Sequence, residues 1–309
     1  MTIRHLRIFI EVARTGNMSE AAGKFFLSQP TVSQVIKELE EHYGVLLFER
    51  RPRKLFITEE GRKLLNLATH VVDEFNNAES TMMENRSFEK IRIGATITVG
   101  NTVINRVIND FKKLRPNTGT FVCISNTQEI EQKLLNAELD IGIIEGEVKS
   151  PELISIPSVD DYLVLICSME HPFAGRDLIY TDELEREDFH FREQGSGTRE
   201  LFENYLKKTG MKVNCSFESN CPNAIKKSVM ENNELAVISV RLVEEEARNG
   251  KLKIIKPAGR EWERSFSLVY YKDKVINENI RAVKEVLDSV KKEKISKLPK
   301  AAVLKRRNI

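Results

Sequence analysis

The stretch that most constrains this 309-residue chain runs from Asn17 to Thr58. Within it, SQPTVSQVIKELEEHYG (28–44) reads as a helix whose first two turns are crowded with short polar residues. Ser28 is placed to cap it, and Pro30 falls in the first turn, where a missing N–H costs little. Val32, Val35, Ile36 and Leu39 repeat with the 3.6-residue period of a buried stripe, which turns Gln29, Thr31, Ser33, Gln34 and Lys37 outward. Amide and hydroxyl side chains at a helix N-terminus can reach base edges in a DNA major groove, Gln matching adenine and the Thr methyl matching thymine. Ser28, Gln29, Pro30, Thr31, Ser33, Gln34 and Lys37 are therefore candidate DNA-contacting residues.

The flanks agree with that reading. Ile3, Leu6, Phe9, Ile10 and Ala13 share one face of a first helix, which Gly16 and Asn17 end. Ser19 is expected to cap a short second helix in which Ala21 and Ala22 permit close approach, and Leu27 marks the turn. After Gly44, VLLFERRPRKLFIT gives two short apolar strands around a tip, Arg50 to Lys54, in which four of five residues are cationic. Such a wing would lay Arg50, Arg51 and Arg53 along phosphates or into the minor groove. The competing reading is a three-helix packing unit with a solvated charged turn.

Charge supports a nucleic-acid-facing head. Residues 1–58 carry +3 and residues 291–309 carry +7, so the stretch between them carries −8 of the chain's +2. A basic head on an acidic body is suited to a polyanion at one end. The longest apolar runs are strand-sized, far short of the roughly 20 residues of a membrane span, and the N-terminus lacks a signal-peptide pattern. A cytoplasmic chain that does not enter membranes is expected. Cys123, Cys167, Cys215 and Cys221 fit neither a zinc spacing nor a CxxC pair, and read as buried free thiols. His5, His42, His70, His171 and His190 are scattered. No catalytic set, metal site or cofactor is expected, so the chain reads as a non-enzyme.

Thr58 is placed to cap a long helix spanning 59–87. Leu64, Ala68, Val71, Phe75, Ala78 and Met82 follow a 4-3-4-3-4 spacing along it, a coiled-coil seam along which two copies would pair. From residue 90, strands and helices alternate: KIRIGAT, FVCIS, LDIGIIEG, YLVLICS, FHFRE, ELAVISV, LKIIKP and SFSLVYY, with helices between them. This implies parallel sheet in α/β layers. The basic end, 296–309, is expected to be disordered or loosely docked.

The run MSEAAGKFFLSQPTVSQVIKELEEHYGVLLFERRPRKLFITEEG resembles the DNA-binding end of LysR-type transcriptional regulators: paired alanines, SQP(A/T)VS, and the LF-x-R element. Tyr43 and Val45 around the glycine, and Glu60 in place of alanine, are minor departures. The resemblance implies a winged helix-turn-helix at 1–58, a dimerising linker helix at 59–87, and a two-lobed effector domain at 90–295 like periplasmic solute-binding proteins. It places lobe I at 90–160 and 266–295 and lobe II at 161–265, with crossings near Val159 and Ser265, and implies a homodimer or homotetramer that binds double-stranded DNA.

Three loops are candidate site elements. GATITVGN carries Thr96 and Thr98; SNTQE carries a capping-box pattern of Asn126 with Glu129, plus the Thr127 hydroxyl; REQGSGTRE carries Gly195, Ser196, Gly197, Thr198 and Arg199 at a helix start. Helix N-termini with hydroxyls bind small oxyanions. The bland alternative is three routine caps. IGATITVGN, ISNTQEI, LDIGIIEG and REQGSGTRE are similar to a LysR-type branch that includes sulfur-assimilation and carbon-fixation regulators, which implies that Thr96, Thr98, Asn126, Ser196, Thr198 and Arg199 contribute to an effector pocket. Relatives place a Ser-Thr pair where Cys221 and Pro222 stand, so a hydroxyl is lost, and a Cys221 thiol at a helix start could act as a sensor. A DNA-binding regulator answering to a small oxyanion or sulfur metabolite is the leading expectation. A thiol-sensing regulator, a solute-binding protein, or an enzyme with a DNA-binding head are the alternatives.

Overall fold

A computed structural model describes residues 1–51, 54–82, 90–291 and 299–307. The head is built from α1 (Ile3–Thr15), α2 (Met18–Lys24), α3 (Gln29–Tyr43), and a hairpin of β1 (Phe48–Arg51) and β2 (Lys54–Ile57), followed by α4 (Glu59–Met82). Phe9, Val12, Ala21, Val32, Ile36 and Leu39 are buried together, and Ala21 and Ala22 let α2 lie close against its neighbours. Asn17, not Ser19, caps α2: its extended backbone lets Oδ1 accept from the N–H groups of Ser19 (2.9 Å) and Glu20 (3.3 Å). Ser19 already lies inside the helix, where its hydroxyl cannot serve the first turn.

Thr58 caps α4, accepting from the Gly61 N–H at 2.9 Å. The expected seam along α4 divides in two. Leu65, Ala68 and Val72 are buried in the head core against α1, with Leu64 beside them, whereas Leu67, Val71 and Phe75 are exposed. One apolar stripe is used within the chain, and a second is left outward. The Met82 side chain and the end of the expected 59–87 helix lie outside the described residues.

The body contains β3 (Lys90–Thr96), α5 (Ile97–Thr102), α6 (Ile104–Leu114), β4 (Gly119–Ser125), α7 (Thr127–Leu135), β5 (Ile141–Glu145), β6 (Leu153–Ser168), β7 (Leu178–Tyr180), β8 (Asp188–Arg192), α8 (Gly197–Thr209), β9 (Asn214–Ser219), α9 (Pro222–Asn232), β10 (Leu235–Ser239), α10 (Glu244–Arg248), β11 (Leu252–Pro257), β12 (Glu263–Tyr271), α11 (Glu278–Lys291) and β13 (Ala302–Lys305). Two sheets share β6. In the first the order is β4-β3-β5-β12-β6, with β3 parallel to β4 and β5. In the second, β6 pairs with β10 and β11, and β10, β8 and β9 run parallel. Each sheet has its own core: Ile93, Phe111, Phe266 and Leu287 in one, Leu165, Phe189, Phe202 and Trp262 in the other.

The 16-residue β6 passes from one sheet to the other without a break. Its first half is not legible as strand because Pro157 interrupts it, and proline is normally excluded from central ladders. Here the register against β12 shifts between Phe266 and Ser267, so that Phe266 faces Val159 and Ser267 faces Pro157. Ser158 is the extra residue of a bulge, and bulges tolerate what a regular ladder does not.

The basic end departs from expectation. Residues 302–305 form β13, parallel to β11 on one side and β7 on the other. Ala302 and Leu304 are buried among Ile179, Ile255 and Trp262, while Val303 points out. Lys300 and Arg307 pair with Asp177 (2.8 Å) and Asp182 (3.3 Å), so the cations fasten the strand. Alternation in AVLK is strand-like, but the surrounding lysines and arginines obscure it.

Candidate DNA-binding face and effector cleft

Ser28 caps α3 with an extended backbone, its Oγ 3.3 Å from the Thr31 N–H that donates to it and 2.8 Å from the Thr31 hydroxyl. Gln29, Pro30, Thr31, Gln34 and Lys37 are exposed, and Ser33 is half-buried. The Gln34 amide donates to Glu38 at 3.1 Å, one turn along, so contact with a base must displace that bond. Glu40 was not singled out by sequence. Its Oε1 accepts from the N–H groups of Leu47 (2.9 Å) and Phe48 (3.2 Å), bracing α3 against the hairpin. Arg50 and Arg51 lie on β1, whereas Arg53 and the side chains of Arg50 and Arg51 fall outside the described residues.

In the body, the three candidate loops meet. Thr96 ends β3 and Thr98 lies in α5; both are buried, and both hydroxyls donate to the Glu145 carboxylate, Thr98 at 2.7 Å. Glu145, at the end of β5, is 1% exposed. Thr127 donates to the Glu145 carbonyl at 2.9 Å and accepts from the Gly197 N–H at 3.3 Å, joining the two lobes. Asn126 caps α7 through the Glu129 N–H at 2.9 Å; the expected return bond is absent, because the Glu129 carboxylate takes the Ser125 hydroxyl instead. The Gln128 N–H donates to the Gly195 carbonyl at 3.3 Å.

The lobes touch at two glycines. Gly146 has φ +92°, a backbone that L side chains rarely adopt, and a Cβ there would lie 2.9 Å from the Cα of Gly197. A Cβ on Gly197 would lie 2.5 Å from the Glu145 carbonyl oxygen. Beside this contact Ser196 occupies the N-cap position of α8 without a side-chain cap bond, its hydroxyl buried and without a partner among the described residues. Thr198 accepts from Arg264 Nη1 at 2.9 Å; Arg264 Nε in turn donates to Asp161 at 2.8 Å, and its Nη2 is buried without a partner among the described residues. Asp161 also accepts from Ser239 at 2.7 Å. A cavity of about 710 Å³ lined by Gly146, Gly197, Lys149, Glu200, Arg264 and Ser267 adjoins this contact, with Lys149 and Glu200 of its lining paired at 3.1 Å.

Thr96, Thr98, Thr127 and Gly197 thus belong to one buried network through Glu145, and Thr198 to a second through Arg264 and Asp161, with Ser196 beside both in the chain. Arg199 does not join them: it turns into lobe II, donating to Glu203 at 2.7 Å and to the Arg192 carbonyl at 3.0 Å, and lies over the Phe191 ring. Of the four thiols expected to be buried only Cys167 is: Cys123 is half-buried, Cys215 is exposed on the edge strand β9, and Cys221 stands exposed at the start of α9, outside both networks. Burial pushes the Cys167 thiol up to about 12. The hydroxyls of the three loops are not arrayed for an oxyanion as the sequence implies, since the buried Glu145 carboxylate already takes two of them. Glu145 closes an apolar strand immediately before Gly146, which was the available signal for it. Among the described residues no group of His, Cys, Asp and Glu is arranged to hold a metal, and no helix is long and apolar enough to cross a membrane.

A helical DNA-reading head joined by a long helix to two α/β lobes around a shared cleft defines a ligand-responsive class of DNA-binding regulator. Residues 3–62 match the bacterial regulatory helix-turn-helix protein, lysR family, and residues 85–291 match the LysR substrate binding domain. The chain belongs to the LysR-type transcriptional regulators. It is 28% identical to the HTH-type transcriptional activator CmpR of Synechocystis sp. over 278 residues, 89% of this chain and 91% of that one. It is 28% identical to a RuBisCO operon transcriptional regulator of Allochromatium vinosum, covering 92% and 95%. A full-length OxyR variant from Pseudomonas aeruginosa shares the fold at a TM-score of 0.68 and 20% identity, covering 97% of this chain and 99% of that one.

Proposed function

We propose that this LysR-type regulator reads DNA through Gln29, Thr31 and Gln34, holds phosphates through Arg50, Arg51 and Arg53, and changes its action when a small effector enters between the lobes. The observation that supports an effector there is the Glu145–Thr127–Gly197 chain across the interlobe contact with the Thr198–Arg264 pair next to it, where Ser196 Oγ and Arg264 Nη2 have no partner among the described residues. Buried polar groups without partners are costly, and a ligand that satisfies them gains that energy. Arg264, Ser196 and Thr198 favour an oxyanion group, from a sulfur metabolite or another small acid. Glu145 opposes a bare anion and favours a ligand that also carries an N–H or O–H donor.

We further propose that two copies pair along the exposed Leu67, Val71 and Phe75 stripe of α4, which sets two recognition helices on half-sites one helical turn or a multiple apart. Calorimetry with sulfite, sulfate, thiosulfate, O-acetylserine and phosphorylated sugars tests the cleft. Thr96→Val keeps the shape and deletes one donor to Glu145, so it should abolish the response to the binding compound and spare basal DNA binding. Undiminished binding in Thr96→Val and Thr198→Val would place the effector elsewhere, and binding lost only on alkylating Cys221 would favour a thiol sensor.

A further inference from the structure

We propose that Phe26 is an apolar DNA contact, its ring resting on a thymine methyl or a deoxyribose at the edge of the groove that α3 enters. Phe26 is 97% exposed, the most exposed of the large hydrophobic side chains among the described residues. Its backbone is left-handed, φ +54°, where a bulky side chain crowds the following carbonyl. Two other non-glycine residues share that conformation among the described residues, and each has a local reason. Ala137 is small and buried, and Asn233 has the short polar side chain that tolerates it. Phe26 has neither.

The turn itself explains the backbone but not the ring. Phe25 and Leu27 both pack partly into the head core, and the left-handed residue between them reverses the chain so that both can. Its N–H donates to the Gly23 carbonyl at 3.3 Å, closing the end of α2. Glycine or asparagine would serve this turn with less strain and no exposed apolar surface. What selects a phenylalanine must therefore lie outside the folded monomer.

Position commits the occupant. Phe26 stands two residues before the Ser28 cap and three before Gln29, so its Cα is within about 11 Å of the first residue of the recognition helix. In a helix-turn-helix, the N-terminal end of that helix approaches the base edges, and the turn before it meets the groove wall. Duplex DNA offers two apolar surfaces there, the thymine C5-methyl and the sugar face. Ser28, Gln29 and Thr31, which follow it in the chain, are exposed as Phe26 is.

The test uses the full-length chain, a duplex selected from a random library by the native protein, and a scrambled duplex of equal length. Phe26→Asn and Phe26→Gly should each lose about tenfold in affinity for the selected duplex, while Phe26→Tyr retains most of it. Both should melt at or above the native temperature, because strain is relieved. Uracil in place of thymine separates the two surfaces. If the ring meets a methyl, the Phe26→Asn loss seen on the thymine duplex shrinks or vanishes on the uracil duplex; if it meets sugar, the loss is the same on both. Native-like affinity in Phe26→Asn and Phe26→Gly would overturn the proposal. So would a loss accompanied by a lower melting temperature or altered sedimentation without DNA, which would assign the ring to the fold or to a protein contact.

Discussion

Gly197→Ala should hold the two lobes apart. The added Cβ would lie 2.5 Å from the Glu145 carbonyl oxygen and 2.9 Å from Gly146 Cα, where ordinary contact begins at 3.4 Å. Both obstacles are backbone, so no side chain can rotate away, and the lobes must separate by close to an ångström. Overpacking of this kind costs about 1–3 kcal/mol, borne only by the arrangement in which the glycines touch. The ratio of touching to separated lobes should fall by roughly 5- to 150-fold. Spin labels at Leu114 and Met169, exposed on opposite lobes, would report it in a Cys215→Ser, Cys221→Ser background. A second population at longer distance is expected, with the head still folded because its core is untouched. Gly175→Ala, where an added Cβ meets nothing within 4 Å, is the control and should match the native distribution. If Gly197→Ala also matched it while the melting temperature fell, the contact would be static packing and the reasoning about lobe movement would be wrong.

Four further outcomes are expected. Leu304→Ala should destabilise lobe II by about 2–5 kcal/mol in urea titration, whereas Val303→Ala, on the outward face of β13, should change little; equal effects would refute the strand's docking. Burial alone would raise the Asp140 carboxyl, but Lys274 and Arg92, both at 2.8 Å, hold it well below the usual carboxylate range. Its folded pKa being depressed, this contribution is present above the unfolded value of about 4 and is lost as pH falls through the folded one, so Asp140→Asn should flatten the acid limb of a stability–pH curve. Gln34→Ala should relax discrimination at one base pair by about 1–3 kcal/mol, read from binding to single-substituted duplexes; an unchanged ratio of selected to random DNA would exclude it from base reading. Phe75→Asp should yield smaller species by sedimentation and weaker operator binding, and an unaltered assembly would remove the pairing argument.

How much could be read from sequence depended on whether the deciding contact was local. The α3 cap, its buried stripe and the hairpin after Gly44 are set by residues a few positions apart, and each was legible. The α4 stripe was legible as apolar but not as to partner, because spacing alone cannot say that Leu64 and Ala68 face α1 while Val71 and Phe75 face out. Glu145 and Thr96 are 49 positions apart, and β13 finds its neighbours β11 and β7 across most of lobe II. Nothing in a local pattern pairs a carboxylate with a hydroxyl at that range. The sequence therefore indicated donors in three loops that meet in the fold and missed the acceptor that already holds two of them.

That acceptor changes how a ligand would act. Thr198 is tied through Arg264 to Asp161, and Arg264 and Asp161 are register partners on β12 and β6, two to three residues from the bulge at Ser158 where β6 passes between the sheets. An anion that takes Arg264 Nη2 and the Ser196 hydroxyl works on lobe II beside the crossing, whereas a donor that takes Glu145 works on lobe I through Thr96 and Thr98. A ligand holding both ends adds a bond across the glycine contact only while the lobes touch, so its affinity differs between the two arrangements by the strength of that bond. One charge-assisted hydrogen bond, about 1.5–3 kcal/mol, would shift the balance by roughly 10- to 150-fold, enough to move a regulator between states. A compound that reaches only one lobe would bind without that leverage, which is why the effector response, rather than affinity alone, discriminates among candidate ligands.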